Sequence, residues 1–384
     1  MRGRTSAATD TSSPPIPFTG FLEEFIRPMA AAGNPAIGFI GLGGWGTTNA
    51  DTVSDLGGTV VAGADVSPTA RERFAATFDV PTVEHWDELP YDRLDGVVIG
   101  TPNTYHAPAA IHALEQDVAA YVAKPMADST AAADEMITAA AESNAFGMVG
   151  FVSRFRAGVD LFRAYHTDDT FGDITHVEIE VIRRRGIPGR GSWFCNDALA
   201  GGGSLYDIGV HAIDAAMYML EFPTPVTILG ATRQEFGPRE QYADPDGWSD
   251  HWELTEEPFT VDDSASGFVR FDSGLTMSIE TAWATNREPS NRTILRGTEA
   301  GAVLGGDGAL EINTARSNGI DHYVDTTLRG ERAHTGHAGA QAVFLEAIRA
   351  AQPPGTCTFE EGKLTQQIMD GIYQSDEQAA AIRL

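Results

Sequence analysis

Two hydrophobic periods divide the chain. Short runs of consecutive apolar residues at 36–42, 59–65, 96–99, 119–122 and 147–151 predict strands buried on both faces. Between them, segments 48–56, 68–77, 107–116 and 129–142 have the spacing of helices, with Asp128 or Ser129 as N-cap of the last. This alternation predicts a doubly wound parallel sheet with helices on both faces. After Phe151 the period shortens to two: Val177, Ile179 and Val181 alternate with His176, Glu178 and Glu180, and Leu275, Met277, Ile279 and Trp283 repeat the pattern. Asp272-Ser273-Gly274 joins the latter strand to one at 267–271 as a hairpin. A second, α+β part with a large, mostly antiparallel open sheet follows, interrupted by a helix at 204–220 and closed by helices at 339–350 and 361–383, the last expected to pack back on the first part. The expected division is a loose extension over 1–34, a doubly wound domain over 35–151 and an α+β domain over 152–384.

Length supports two domains, since 384 residues exceed what one core usually organises. No apolar run is long enough to span a bilayer, and Glu23, Glu24 and Arg27 interrupt the only apolar stretch near the start. A cytoplasmic protein is expected. Cys195 and Cys357 lie far apart without metal spacing, so neither a disulfide framework nor a metal site is expected. The net charge of −28, from 54 acidic and 26 basic residues, makes nucleic acid an unsuitable partner. Only Lys124 and Lys363 are lysines, the other basic residues being arginine. The bias suits a halophilic protein, because roughly molar salt shortens the Debye length to about 3 Å and screens self-repulsion. The polar segment 236–262, with Tyr242, Trp248, Trp252 and eight acidic residues, reads either as a lid or as a solvated loop.

Candidate chemistry begins where the first strand runs into Gly41-Leu42-Gly43-Gly44-Trp45-Gly46 and then a helix. In a dinucleotide-binding turn, Gly41 permits the tight bend, Gly43 and Gly44 let backbone approach a pyrophosphate and Gly46 allows close strand–helix packing. Asp65 ends the next strand 19 residues beyond Gly46, where a carboxylate accepts hydrogen bonds from ribose hydroxyls and repels a 2′-phosphate. NAD is therefore expected over NADP, which stays open. Thr101, Pro102, Asn103 and His106, with Lys124 and Pro125, follow the carboxyl ends of later strands, where ligands bind in such sheets. Gly201-Gly202-Gly203 opens a helix bearing Asp207 and His211, four residues apart and so on one face, with Asp214 and Tyr218 continuing the stripe.

In order and spacing these motifs resemble the glucose-fructose oxidoreductase, inositol dehydrogenase and rhizopine-catabolism oxidoreductase (Gfo/Idh/MocA) family over residues 35–384. The resemblance implies a Rossmann domain followed by an α+β domain whose open sheet face builds homodimers or homotetramers. It implies an NAD(P)-dependent sugar or polyol dehydrogenase in which Lys124 and His211 act on the reacting hydroxyl and Asp207 supports them. A neutral His211 suits a base near neutral pH, Lys124 would stabilise alkoxide charge, and Asp207 would orient the imidazole and favour its protonated form. The glutamate that commonly precedes the Lys-Pro pair is Ala123 here. Arg154, Arg183, Arg184, Arg185, Trp193 and Tyr206 are substrate candidates, the arginines equally suited to structural ion pairs and the aromatics to a core. The competing functions are an NAD-dependent glycosidase working by transient oxidation and elimination, and a non-catalytic NAD-binding regulator.

Overall fold

The computed structural model describes residues 33–189, 191–245 and 259–384. Most of the N-terminal extension, with the segment 18–29, and Trp248 and Trp252 of the acidic connection lie outside them. The first part runs β1 (Ala36–Ile40), α1 (Gly44–Asp55), β2 (Thr59–Ala64), α2 (Pro68–Phe78), β3 (Thr82–Val83), β4 (Gly96–Ile99), α3 (His106–Glu115), β5 (Ala119–Val122), α4 (Thr130–Glu142) and β6 (Gly147–Val149). Its six strands are parallel in the order β3-β2-β1-β4-β5-β6. β4, β5 and β6 are buried throughout, as expected of strands covered on both faces. The order reverses between β1 and β4, so both strands point their carboxyl ends into one crevice. α1 begins at Gly44, four residues before the predicted start, because the fingerprint glycines supply its first turn.

The second part comprises α5 (Ala157–Thr167), β7 (Ile174–Ile182), the short α6 (Asp197–Ala200), a π-helical turn over Leu205–Gly209 continued by α7 (Val210–Met219), β8 (Pro225–Arg233), β9 (Ser264–Phe271), β10 (Thr276–Ala282), β11 (Ser290–Gly297), β12 (Gly301–Gly305), β13 (Leu310–Ser317), β14 (Asp321–Leu328), α8 (Gly336–Ala350), α9 (Phe359–Gln378) and β15 (Ile382–Arg383). The nine strands lie in the order β14-β13-β12-β11-β7-β10-β9-β8-β15. All pairings are antiparallel except β7 with β10, and the hairpin at 272–274 joins β9 to β10 as read from the sequence. Val177 and Ile179 pack inward while Glu178 and Glu180 face outward, toward Arg296 and toward Arg287 and Arg292. Among the described residues no helix is long and apolar enough to cross a membrane.

The predicted helix at 361–383 divides. α9 ends at Gln378, where Ala379 takes a left-handed conformation, and the chain then pairs as β15 with β8. α9 bonds to elements of both parts. On one side Asp370 accepts from the Thr130 amide and hydroxyl at 2.6 Å, and Lys363 pairs with Asp134 at 2.5 Å, both on α4. On the other, Ser375 accepts from the Gly230 amide at 2.9 Å and Asp376 from Thr232 at 2.6 Å, both on β8.

Within the second part, α9 is also held by an ionic, dry contact. Arg154, 1% exposed, donates twice to Asp214 of α7 at 2.6 and 2.9 Å and also to Glu361 of α9, with the rings of Phe151, Tyr218 and Phe222 around its guanidinium. Burial favours a neutral guanidine, but Asp214 and Glu361 outweigh it and hold the group charged. Asp214→Ala leaves that cation deep in the core with one acid partner removed, and a loss of about 3–5 kcal/mol in denaturant unfolding is expected. A loss below about 1 kcal/mol, the scale of an exposed pair, would show that the contact is not holding the helices.

Candidate functional site

The crevice is built from the two glycine-rich turns. Gly41 has φ +87°, and a Cβ on Gly46 would lie 2.0 Å from the Gly41 carbonyl oxygen, so that α1 can start directly behind β1 only with glycine there. Gly43 and Gly44 are exposed and face open space. Asp65 stands at the end of β2, its carboxylate accepting from the Leu42 amide at 2.7 Å and the Ser67 amide at 2.8 Å. Trp45 covers Gly100 and meets His337 edge-on at 6.0 Å.

The second turn owes its shape to Asp262. Its carboxylate accepts from the Gly203 amide at 2.8 Å and the Ser204 hydroxyl at 2.6 Å, while its carbonyl accepts from the Ser204 amide at 3.1 Å. A Cβ on Gly203 would lie 1.9 Å from that carbonyl, which accounts for the last glycine of the triplet. Asp262 thus caps the turn that carries Asp207, although the sequence shows it only as one acid among eight.

Asp207 and Lys124 meet across the join between the two sheets. Lys124 Nζ donates to Asp207 Oδ1 at 2.8 Å and to the Asp207 carbonyl at 2.7 Å, and Trp283 Nε1 donates to Asp207 Oδ2 at 2.9 Å. Burial works against ionised Asp207, but Lys124, helped by Arg183 and the Trp283 indole, overcomes it and holds the carboxyl below its usual range. The hydrogen bonds of Asp207 go to Lys124 and Trp283, and none joins it to His211, so its orienting contact falls on Lys124. Trp283 was missed as a site residue; a strand-end indole needing an acceptor was its one signal.

His211 sits beside the pair with its Nδ1 buried and without a hydrogen-bond partner. Burial first, then the charge of Lys124, lowers its pKa from 6.5 to about 3, against the opposing charge of Asp207. The imidazole is neutral near neutrality. A π-helical turn, rather than a regular helix, carries Asp207 and leads into α7; Asp207 and His211 line the crevice, whereas Asp214, one turn further along α7, points into the buried pair with Arg154.

Two cavities adjoin at His211 and Val152. The larger, about 370 Å³, is lined by Gly43, Gly44, Trp45, Thr101, Asn103, His106, Lys124 and Pro125 on the first part and by Trp193, Tyr206, Asp207, His211 and His337 on the second. Gly41, Gly46, Asp65 and Pro102 lie outside this lining. Asn103 also ties the parts together, donating to the Ala200 carbonyl at 2.7 Å. The buried His106 ring lies between the carbonyls of Pro125 and Thr101, at 2.9 and 3.0 Å, and burial lowers its pKa to about 4. The smaller cavity, about 250 Å³, lies over β7 and β11 and includes Arg156, Arg183 and Asn291.

Several substrate candidates are not free for substrate. Arg154 is consumed by Asp214 and Glu361. Arg184 is exposed and paired with Glu288, and Arg185 donates to the carbonyls of Ala243 and Thr285. Tyr206 lines the larger cavity, but its hydroxyl donates to Asp370 Oδ1 at 2.5 Å and accepts from Gln366 at 2.7 Å, which fastens the π-helical turn to α9. Trp193 lines the cavity, stacked on Phe194.

The fold and this crevice define an oxidoreductase of the two-domain, dinucleotide-binding class. Residues 36–151 match the model of the oxidoreductase family with an NAD-binding Rossmann fold, and residues 159–303 match the GFO/IDH/MocA C-terminal domain; the chain belongs to this family. It is 29% identical over 231 residues to a putative UDP-kanosamine synthase oxidoreductase subunit of Amycolatopsis mediterranei, a match covering 59% of this chain and 62% of that one. It is 29% identical over 292 residues to D-glucoside 3-dehydrogenase of Escherichia coli, covering 76% and 79%. A solved levoglucosan dehydrogenase in complex with NADH and levoglucosan shares the fold with TM-score 0.77 and 22% identity, over 91% of this chain and 99% of that one.

The residues present fit NAD. Gly43 and Gly44 leave room at the α1 N-terminus for a pyrophosphate, the Asp65 carboxylate stands at the end of β2 against the glycine-rich turn, and Thr101 Oγ1 is buried without a partner beside the larger cavity.

His106 and His211 bind protons less readily folded than unfolded, so between pH about 6.5 and about 4 the unfolded chain holds the extra protons and stability falls on acidification. The thermal midpoint should drop between about pH 7 and about pH 5, and by less in His211→Gln, which removes one of the two groups. Parallel pH curves for the two proteins would contradict a neutral, buried His211.

Proposed function

We propose that the chain is an NAD-dependent dehydrogenase that moves a hydride between nicotinamide and a hydroxyl carbon of a sugar or cyclic polyol, with Lys124, Asp207 and His211 as its reacting set. The observation that carries this reading is the neutral imidazole of His211, which lines both cavities where they adjoin, next to an ion-paired lysine. NAD, when bound, supplies the hydride acceptor. Alcohol oxidation also needs a proton acceptor and a counter-charge for the oxygen, and the chain's own residues meet both needs. His211 takes the hydroxyl proton. Lys124 has three N–H donors, two of them given to Asp207, and the third stabilises the developing alkoxide. Asp207 and Trp283 fix the ammonium in place. Residues 35–151 form the nucleotide half and 152–384 the substrate half.

Three further readings accompany this one. The outer face of the second sheet, where exposed Leu229 and Phe268 pair in register, is the surface on which copies assemble. Reduced, buried Cys195 and Cys357 suit the cytoplasm. The arginine-rich, lysine-poor acidic composition suits a salt-rich cell.

Incubation with NAD and a panel of hexoses, pentoses, their acids and inositols should raise nicotinamide absorbance for at least one member. Aglycone release from a glycoside without net NADH would favour the glycosidase alternative instead. Lys124→Ala should lower kcat/KM about 10²–10⁴-fold while NADH still binds in fluorescence titration. Unchanged turnover removes the role given to Lys124. For salt, the unfolding midpoint should rise steadily from about 0.1 M to about 1 M potassium chloride as repulsion is screened; a flat profile contradicts salt adaptation.

A further inference from the structure

The smaller cavity has a charge that the rest of the molecule does not share. The chain carries 54 acidic residues against 26 basic, yet among the described residues no carboxylate lines this space, whereas Arg156 and Arg183 both do. Arg156 precedes α5 and is half-buried. Among the described residues its guanidinium has neither an ion-pair nor a hydrogen-bond partner, and burial alone pushes its pKa below the ordinary value. Neighbouring arginines are treated differently. Arg154, two residues earlier, has Asp214 and Glu361, Arg163 donates to the Tyr218 carbonyl, and Arg184 pairs with Glu288. In so acidic a chain a partner for Arg156 would be easy to place. Holding a guanidinium partly desolvated without one is unfavourable unless something else completes it.

The rest of the lining says what that something is attached to. His211 belongs to both cavities and so marks the reacting end. Asn291 and Thr293 of β11 offer neutral polar groups suited to hydroxyls, and Val181, Ile208 and Leu304 an apolar surface suited to the C–H face of a sugar ring. Arg183 lies close enough to Asp207 for its charge to lower that carboxyl's pKa, so the cation-lined wall continues toward the reacting residues.

We propose that the second cavity selects a sugar bearing an anionic group, a carboxylate or a phosphate, with Arg156 as its direct partner and Arg183 beside it. The inference rests on the dehydrogenase reading in taking His211 as the reacting end. It adds the substrate's charge, which that reading leaves open. An Arg–carboxylate or Arg–phosphate contact is bidentate and fixes orientation as well as affinity, so it would also select which hydroxyl meets His211.

The test is calorimetric titration of the full chain saturated with NADH, using D-glucuronate and D-galacturonate against their neutral methyl esters, and D-glucose 6-phosphate against D-glucose. At least one anion should bind about 10- to 100-fold more tightly than its neutral counterpart. A preference confined to uronates or to the phosphate identifies which group the site takes. Arg156→Gln should collapse the anion-to-neutral ratio toward unity, whereas Arg156→Lys, which keeps the charge, should retain part of it; NADH affinity reports that each variant is folded. Absence of anion binding, equal binding of anionic and neutral sugars by the wild-type chain, or a ratio unchanged in Arg156→Gln overturns the inference. If an anion binds by these criteria but no sugar yields NADH from NAD, the anion site stands and the dehydrogenase reading fails.

Discussion

An ammonium held against both the carbonyl and the carboxylate of one residue keeps little freedom, and Lys124 is held in this way by Asp207, across the join between two sheets. Several other features depend on that bond. The π-helical turn must present Asp207, so Asp262 caps it and Gly203 lets the cap come close. Trp283 donates to the second carboxylate oxygen and fixes the plane of the carboxylate. The lysine charge then acts on what is left: together with burial it lowers the pKa of His211 and of His337. One ion pair therefore shapes the crevice, and its lysine adds to burial in keeping the imidazoles around it neutral.

The first sheet was legible because each of its strands is a short apolar run between helical segments, and because a glycine-rich strand–helix turn signals a tight bend with close backbone approach. The hairpin at 272–274 was legible for similarly local reasons. What escaped were features decided at a distance. Strands β11 to β14 are half-polar and partly exposed, so their period carries little contrast. The π turn over 205–209 breaks the regular helical spacing between Asp207 and His211, which no spacing rule anticipates. Arg154 and Arg156 show the limit most plainly: two residues apart and chemically identical, one is buried with two acids and the other faces a cavity alone. Only the partners distinguish them, and those come from α7 and α9.

Charge is distributed with the same economy. Both lysines of the chain sit where the first part meets elements from the second, Lys124 on Asp207 and Lys363 on Asp134. A compact, flexible ammonium reaches an acid across such a join without the planar fork that a guanidinium would have to fit. Arginine elsewhere serves planar contacts, over rings at Arg154 and Arg163 or along the outward ladder of Glu178 and Glu180.

Helix α9 gives the crevice a property that neither sheet has alone. By bonding to α4 on one side and to β8 on the other, it works as a brace between the walls, and the Arg154 cluster in turn fixes α9 to α7. A braced cleft resists changes in its width. The less the walls move, the smaller the fraction of binding energy diverted to shifting an open population toward a closed one. Discrimination between substrates consequently rests on the fixed shape and charge of the walls, and evolution can alter it one side chain at a time without retuning a hinge.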